Sequence, residues 1–179
     1  MPKLLICFVL FFTHSVTQCQ DPILQISKID SLIKLNKLLS DSKQFESAFK
    51  VIDQAKDIAL IHDLGKGLQS GKCCAAIART YHLKNEAENA IKYYELALSI
   101  ELNYINDASN EYCVTALNYS RLLITQKKFK QAESLLTIII KLRNKYNGKN
   151  SIETAIANVN LADLYNSQLN NLLAKNITI

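Results

Sequence analysis

Lys37, Arg79 and Arg121 recur at a single stride of 42 residues, and Asp163 follows at the same interval. Three long cations in step could hold a carboxylate or an acidic peptide segment through charge-assisted hydrogen bonds. The same residue types are what a helix surface leaves in water, where basic side chains lie over apolar ground, and acids such as Asp30 are at hand to pair with them. Both readings stay open on the residues alone.

Catalytic chemistry finds little support. The chain has no GxSxG, HExxH or glycine-rich phosphate loop, and its 4 Gly are scattered. Among the 3 His, His14 falls in an apolar leader, while His62 and His82 have no acid or nucleophile in step. Cys74 and His82 are eight residues apart, about 80 degrees round a helix, so they do not form a nucleophile and base pair. The adjacent Cys73 and Cys74 lack the CxxC spacing that zinc prefers. The expectation is a non-enzyme with no cofactor and no metal.

The elements that must position the cations are legible in Gly71 to Ile100. Cys74, Ile77, Ala78 and Tyr81 share one helical face, and Ala90, Tyr94, Ala97 and Leu98 share another across a short polar turn. Shifting the frame by 42 residues finds Leu32, Leu35, Leu39, Ala48, Ile52 and Ala55 in a copy starting near 29. The same shift in the other direction finds Ala116, Tyr119, Leu123, Ala132, Leu136 and Ile139 from 113, then Asn158, Leu161, Ala162 and Tyr165 from 155. Small residues let helices approach, and large ones fill the space around them.

This pattern resembles the tetratricopeptide repeat, with Cys74, Ile77, Ala78 and Tyr81 in its first helix and Ala90, Tyr94 and Ala97 in its second. The usual period is about 34 residues; the longer stride here adds about two helical turns, through Asp57 to His62, Leu102 to Tyr104 and Leu142 to Tyr146. Residues 132–165, with the Gly148 turn and the LAxLY ending, are similar to the long repeats of the kinesin light chain kind. The resemblance covers about Ile29 to Gln168. It implies an all-α fold, a right-handed α-solenoid of stacked antiparallel helix hairpins, whose first helices line a concave binding surface. The ninth position of the frame, Lys37, Arg79 and Arg121, would face that surface. His82, Leu117 with Val159, and Asn118 with Asn160 would lie beside it, the asparagines able to bond a peptide backbone. Lys34 and Ala76 occupy the place of Asn118 in the first two copies, so the family's clamp for a carboxy-terminal carboxylate is not implied.

Composition agrees with a single helical domain. The 179 residues are 49% hydrophobic and 21% charged, with only 2 Pro, neither of them after Pro22. Ser27 with Asp30, and Asp41 with Gln44, read as capping boxes, while Asp107 or Ser109 and Asn150 or Ser151 read as later helix starts. The predicted helices run at 27–41, 43–62, 69–83, 86–102, 108–126, 129–146 and 150–168.

Ahead of them, Lys3 precedes an apolar run from Leu4 to Phe12, too short to span a bilayer and suited to a secretory signal over residues 1–19. Lipid modification of Cys19 is a lesser alternative. Residues 20–26 read as a linker, 27–168 as the repeats, and 169–179 as a tail or a truncated continuation, with Leu169, Leu172 and Leu173 able to make a short cap. Loss of the signal takes the formal charge from +5 to +4, which does not suggest nucleic-acid binding. Of 5 Cys, the three beyond the signal read as small hydrophobes, with a Cys73–Cys113 bridge as the alternative. The functional expectation is an exported scaffold that binds a protein or peptide in its concave groove, an acidic one if the cation column takes part. The alternative is the extracytoplasmic sensing part of a signalling protein.

Overall fold

The computed structural model describes residues 22–61, 67–106 and 109–177, with side chains through Leu172. Seven α-helices and no strand occur among them. They are α1 (Pro22–Asp41), α2 (Phe45–Ile61), α3 (Leu68–Leu83), α4 (Ala87–Glu101), α5 (Ser109–Thr125), α6 (Phe129–Tyr146) and α7 (Ile152–Ile177), with a single 3-10 turn at Leu102–Tyr104. Consecutive helices pack as antiparallel pairs, and α3 also packs on α1 and α2 before α5 packs on α4. The signal reading and the Asp107 helix start lie outside the described residues.

The 42-residue stride is physical. Among the described residues three non-glycine positions adopt positive φ, and they are Lys43, Asn85 and Lys127, each 42 residues after the last. Each ends a first helix in the same way: Gln44, Glu86 and Lys128 donate their backbone N–H to the carbonyls of Leu39, Tyr81 and Leu123 at 2.8–2.9 Å. This is the hydrogen-bond pattern of a Schellman cap, which turns the chain back on itself. In the second helices the template is dry, with Ala48, Ala90 and Ala132, then Ile52, Tyr94 and Leu136, then Ala55, Ala97 and Ile139, all fully buried. Alanine at the first level in all three repeats, and at the third in the first two, brings paired helices close, and the large residue between them fills the gap.

First helices obey the template less evenly. Ile77, Ala78, Ala116, Tyr119 and Leu123 are buried as expected, but Leu35 is 43% exposed. In α1 the buried side chains are Gln25, Ile29, Asn36 and Ser40. Asn36 donates to the Ala48 carbonyl at 3.0 Å and to Thr80 Oγ1 at 3.1 Å, and Ser40 meets the same hydroxyl at 2.9 Å. A satisfied polar network there replaces the apolar stripe, because buried polar groups are tolerated once bonded. In α7, Asn158, Ala162 and Tyr165 are exposed although their equivalents in α3 and α5 are covered, since no helix packs on that side among the described residues.

Several expected boundaries move. Helix α1 begins at Pro22, not at Ser27, because proline is preset for the first helical position; residues 22–26 are therefore helical and Ser27 is no cap. Asp41 ends α1 and takes no capping role for α2. Ser151 does cap, its Oγ accepting from the Thr154 N–H at 3.1 Å. Helix α7 runs on to Ile177, past 168, where the equivalent of the Lys127 turn would be Leu169. Cys73, Cys74 and Cys113 are free and buried, so no Cys73–Cys113 bridge forms. Cys73 packs in the cluster built on Ile29 and Ile52, and Cys113 in the larger one built on Tyr94, Leu123 and Leu136.

Candidate functional site

Parallel placement of α1, α3 and α5 leaves an open groove of about 410 Å³ along their exposed faces. Its floor is Ile33 from α1, Ala75 and Ala76 from α3, and Val114 from α5. Of the residues singled out by sequence, Lys37, Arg79 and Asn118 line it. His82, Leu117, Arg121 and Asn160 do not belong to this lining. Leu117 is 8% exposed and packs in the core. His82 sits edge-on to Tyr94, ring centroids 6.3 Å apart; its burial, then the neighbouring charges of Arg79 and Arg121, lower its pKa. Arg121 donates from Nε to Asn160 Oδ1 at 2.8 Å, and Asn160 donates in turn to the Ile156 carbonyl at 2.7 Å.

The cation column is partnered. Arg79 bonds Asp41 through Nη2, and Lys37 reaches the other oxygen of the same carboxylate at 3.3 Å. The Arg79 guanidinium beside Asp41, followed by Lys37, holds that carboxyl below its ordinary range. One acid shared by two cations leaves this end of the groove positive. Arg79 Nη1 is moreover buried with no hydrogen-bond partner among the described residues.

Seven residues earlier on α3 the balance reverses. Lys72 lies 3.3 Å from Asp30 and 3.9 Å from Glu111. Beneath it the end of α4 brings in Glu101, which is 1% exposed and lines the same groove. Glu101 Oε1 accepts from Thr115 at 3.1 Å, while Oε2 is buried without a partner among the described residues. Gly71 makes this seat possible, since a Cβ there would stand 2.9 Å from Glu101 Cγ. Burial pushes the Glu101 carboxyl up to about 7 against the opposing help of the Thr115 bond, and the negative charge of Glu111 adds to the rise.

Sequence reasoning gave Asp30 only a pairing role beside the cations and missed Lys72, Val114 and Glu101 as groove residues. The first three share the second position of the repeat frame at the 42-residue stride, so the signal was available as one more column. Glu101 carried no such signal, because it comes from a second helix at a level where repeat one has Ala59. No group of three or more potential metal ligands occurs among the described residues, and none of their helices is long and apolar enough to cross a membrane.

No protein-family model matches the sequence, and no curated protein matches it. Its fold is similar to the crystal structure of BtubC (BKLC) from P. vanneervenii, with a TM-score of 0.72 and 22% sequence identity over 83% of this chain. The match spans 58% of that protein's chain. With the helix pairing above, this likeness shows a tetratricopeptide-like α-solenoid.

Proposed function

We propose that this protein is an exported scaffold that binds a protein or peptide segment in the groove of its first helices. The observation that carries the reading is the groove itself: an apolar floor of small side chains, flanked by charged and amide groups from three successive repeats. Ala75 and Ala76 leave room for a bound side chain, and Asn118 can bond a peptide backbone at the rim. Lys37 and Arg79 supply the end that takes an acidic group. The scaffold fold supports binding as the activity. Export rests on the sequence alone, on Lys3, the apolar run from Leu4 to Phe12 and the polar stretch behind it.

Selection of binders from a random peptide library, followed by titration against the wild type and Ala75→Arg, tests the groove. Ala75 is half-buried on the groove floor and belongs to neither apolar cluster, so arginine there fills the floor without entering the core, and binding is expected to fall at least tenfold. Equal affinity for the two proteins would refute the groove reading. Fusion of residues 1–21 to a reporter enzyme that works only outside the cytoplasm tests export; an inactive fusion would refute it.

A further inference from the structure

The two ends of the groove carry opposite, incomplete chemistry. At one end Asp30, Glu101 and Glu111 lie around the ammonium of Lys72, with Lys34 further along the same lining. At the other, Lys37 and Arg79 face the single carboxylate of Asp41. Each end also holds one buried polar atom with nothing to bond among the described residues, the acceptor Glu101 Oε2 and the donor Arg79 Nη1. A buried polar group left unpaired costs free energy, and an arginine cannot relieve the cost by losing its proton. Both atoms belong to side chains that line one cavity.

Spacing fixes what would satisfy both. Glu101 rests on Gly71, and eight residues of α3 separate Gly71 from Arg79, about 12 Å at 1.5 Å per residue. An extended peptide advances about 3.3 Å per residue and puts every second side chain on one face. Side chains i and i+4 of such a strand thus fall about 13 Å apart on the same side, with i+2 over Ala75 and Ala76.

We propose that the groove selects a dipolar extended segment, with a lysine or arginine at the Glu101 end, a carboxylate four residues away at the Arg79 end, and a small apolar residue midway. This rests on the peptide-scaffold reading and gives it a ligand class. Pairing of the ligand's cation with Glu101 and of its carboxylate with Arg79 completes the two unfinished hydrogen-bond sets in one event. Chain direction is left free, because either polarity of an extended strand presents the same face.

The test is titration of the whole chain with blocked, labelled peptides containing Lys-Thr-Val-Thr-Glu, against Glu-Thr-Val-Thr-Glu, Lys-Thr-Val-Thr-Lys, Thr-Thr-Val-Thr-Thr and a version with Lys and Glu adjacent. The i, i+4 dipolar peptide is expected to bind roughly tenfold or more tightly than any of the others, the size of a lost charge-assisted bond. In Glu101→Gln, checked for folding by its melting transition, the preference over the diacidic peptide should shrink. Val114→Arg, at an exposed position on the groove floor, should weaken all of them and serves if Glu101→Gln does not fold. Equal binding of all five peptides overturns the dipolar assignment and leaves the scaffold reading standing. So does failure of all five when a library-selected peptide binds. Failure of library and panel alike overturns both.

Discussion

Ala59, Glu101 and Arg143 stand at one level of three successive second helices, 42 residues apart, and all are buried. In repeat one the level is apolar, Ala59 joining Ile29 in a single cluster. In repeat two the partner at the first-helix level is Gly71, which makes room for Glu101, and in repeat three it is Cys113, on which Arg143 exerts its charge. The template decides that the position is covered; volume is traded across the pair, large against small. What differs is electrostatic. Arg143 lies in the last turn of α6, where the helix dipole favours a cation, and donates to Asn110 at 2.9 Å. Glu101 is the last residue of α4, where the dipole disfavours an acid; each of the two side chains keeps one buried atom, Glu101 Oε2 and Arg143 Nε, without a partner among the described residues. Repeat three uses the level to hold itself together, whereas repeat two leaves it strained beside the groove.

Removing the arginine should break the comparison most severely. Arg143→Ala empties a filled volume, with an expected loss of about 3 kcal/mol in urea unfolding; Asn110 is exposed and bonds water instead. Arg143→Met keeps the volume and drops the buried charge, so it should stay close to wild type. An equal loss in both variants would mean that the charge, not the volume, matters there.

Glu101 should show the opposite sign. Its folded-state pKa lies above the ordinary 4.5, near 7, so the native protein holds a proton that the unfolded chain has released. Its contribution to stability is complete below about pH 4.5 and is lost as pH rises toward and through 7. Glu101→Gln is expected to be near neutral at pH 4.5 and to stabilise by about 2–3 kcal/mol at pH 8. Parallel stability–pH curves for the two proteins would show that Glu101 is not strained.

Exchange of volume across the pair gives a smaller effect. Gly71→Ala places a Cβ against Glu101 Cγ and Ile100 Cγ2, and should cost about 1–2 kcal/mol despite alanine's better helix propensity. Adding Glu101→Ala should remove most of that cost, and a strictly additive double mutant would disprove the exchange. Smallest of all, Lys127→Gly relieves a positive φ of 58° and should stabilise by roughly 0.5 kcal/mol in thermal unfolding, the αL penalty exceeding glycine's entropy cost. A loss would mean that the lysine side chain matters at that turn.

Much of the fold was legible because it repeats. Ala90, Tyr94 and Ala97 announce one covered helix face, and the stride multiplies that signal across the chain. Of the three turn residues, Asn85 is a type that tolerates the left-handed region, while Lys43 and Lys127 are not; only the stride marks them. The candidate site was legible in part. Lys37, Arg79 and Asn118 were on the expected columns, but the column of Asp30, Lys72 and Val114 went unread for want of a uniform chemistry. The buried roles of Asn36 and Ser40 were not legible, since their partner Thr80 lies 44 and 40 residues away and is met only through packing.

The sequence by itself determined the helical pairs, their stride and the dry faces of the second helices, because those follow from local periodicity and side-chain size. Only the tertiary structure decided which cations share an acid, which oxygen is left without a donor, and where the groove runs. Such matters depend on distances between helices, and a helix's own residues fix the directions in which its side chains leave it but not what they meet.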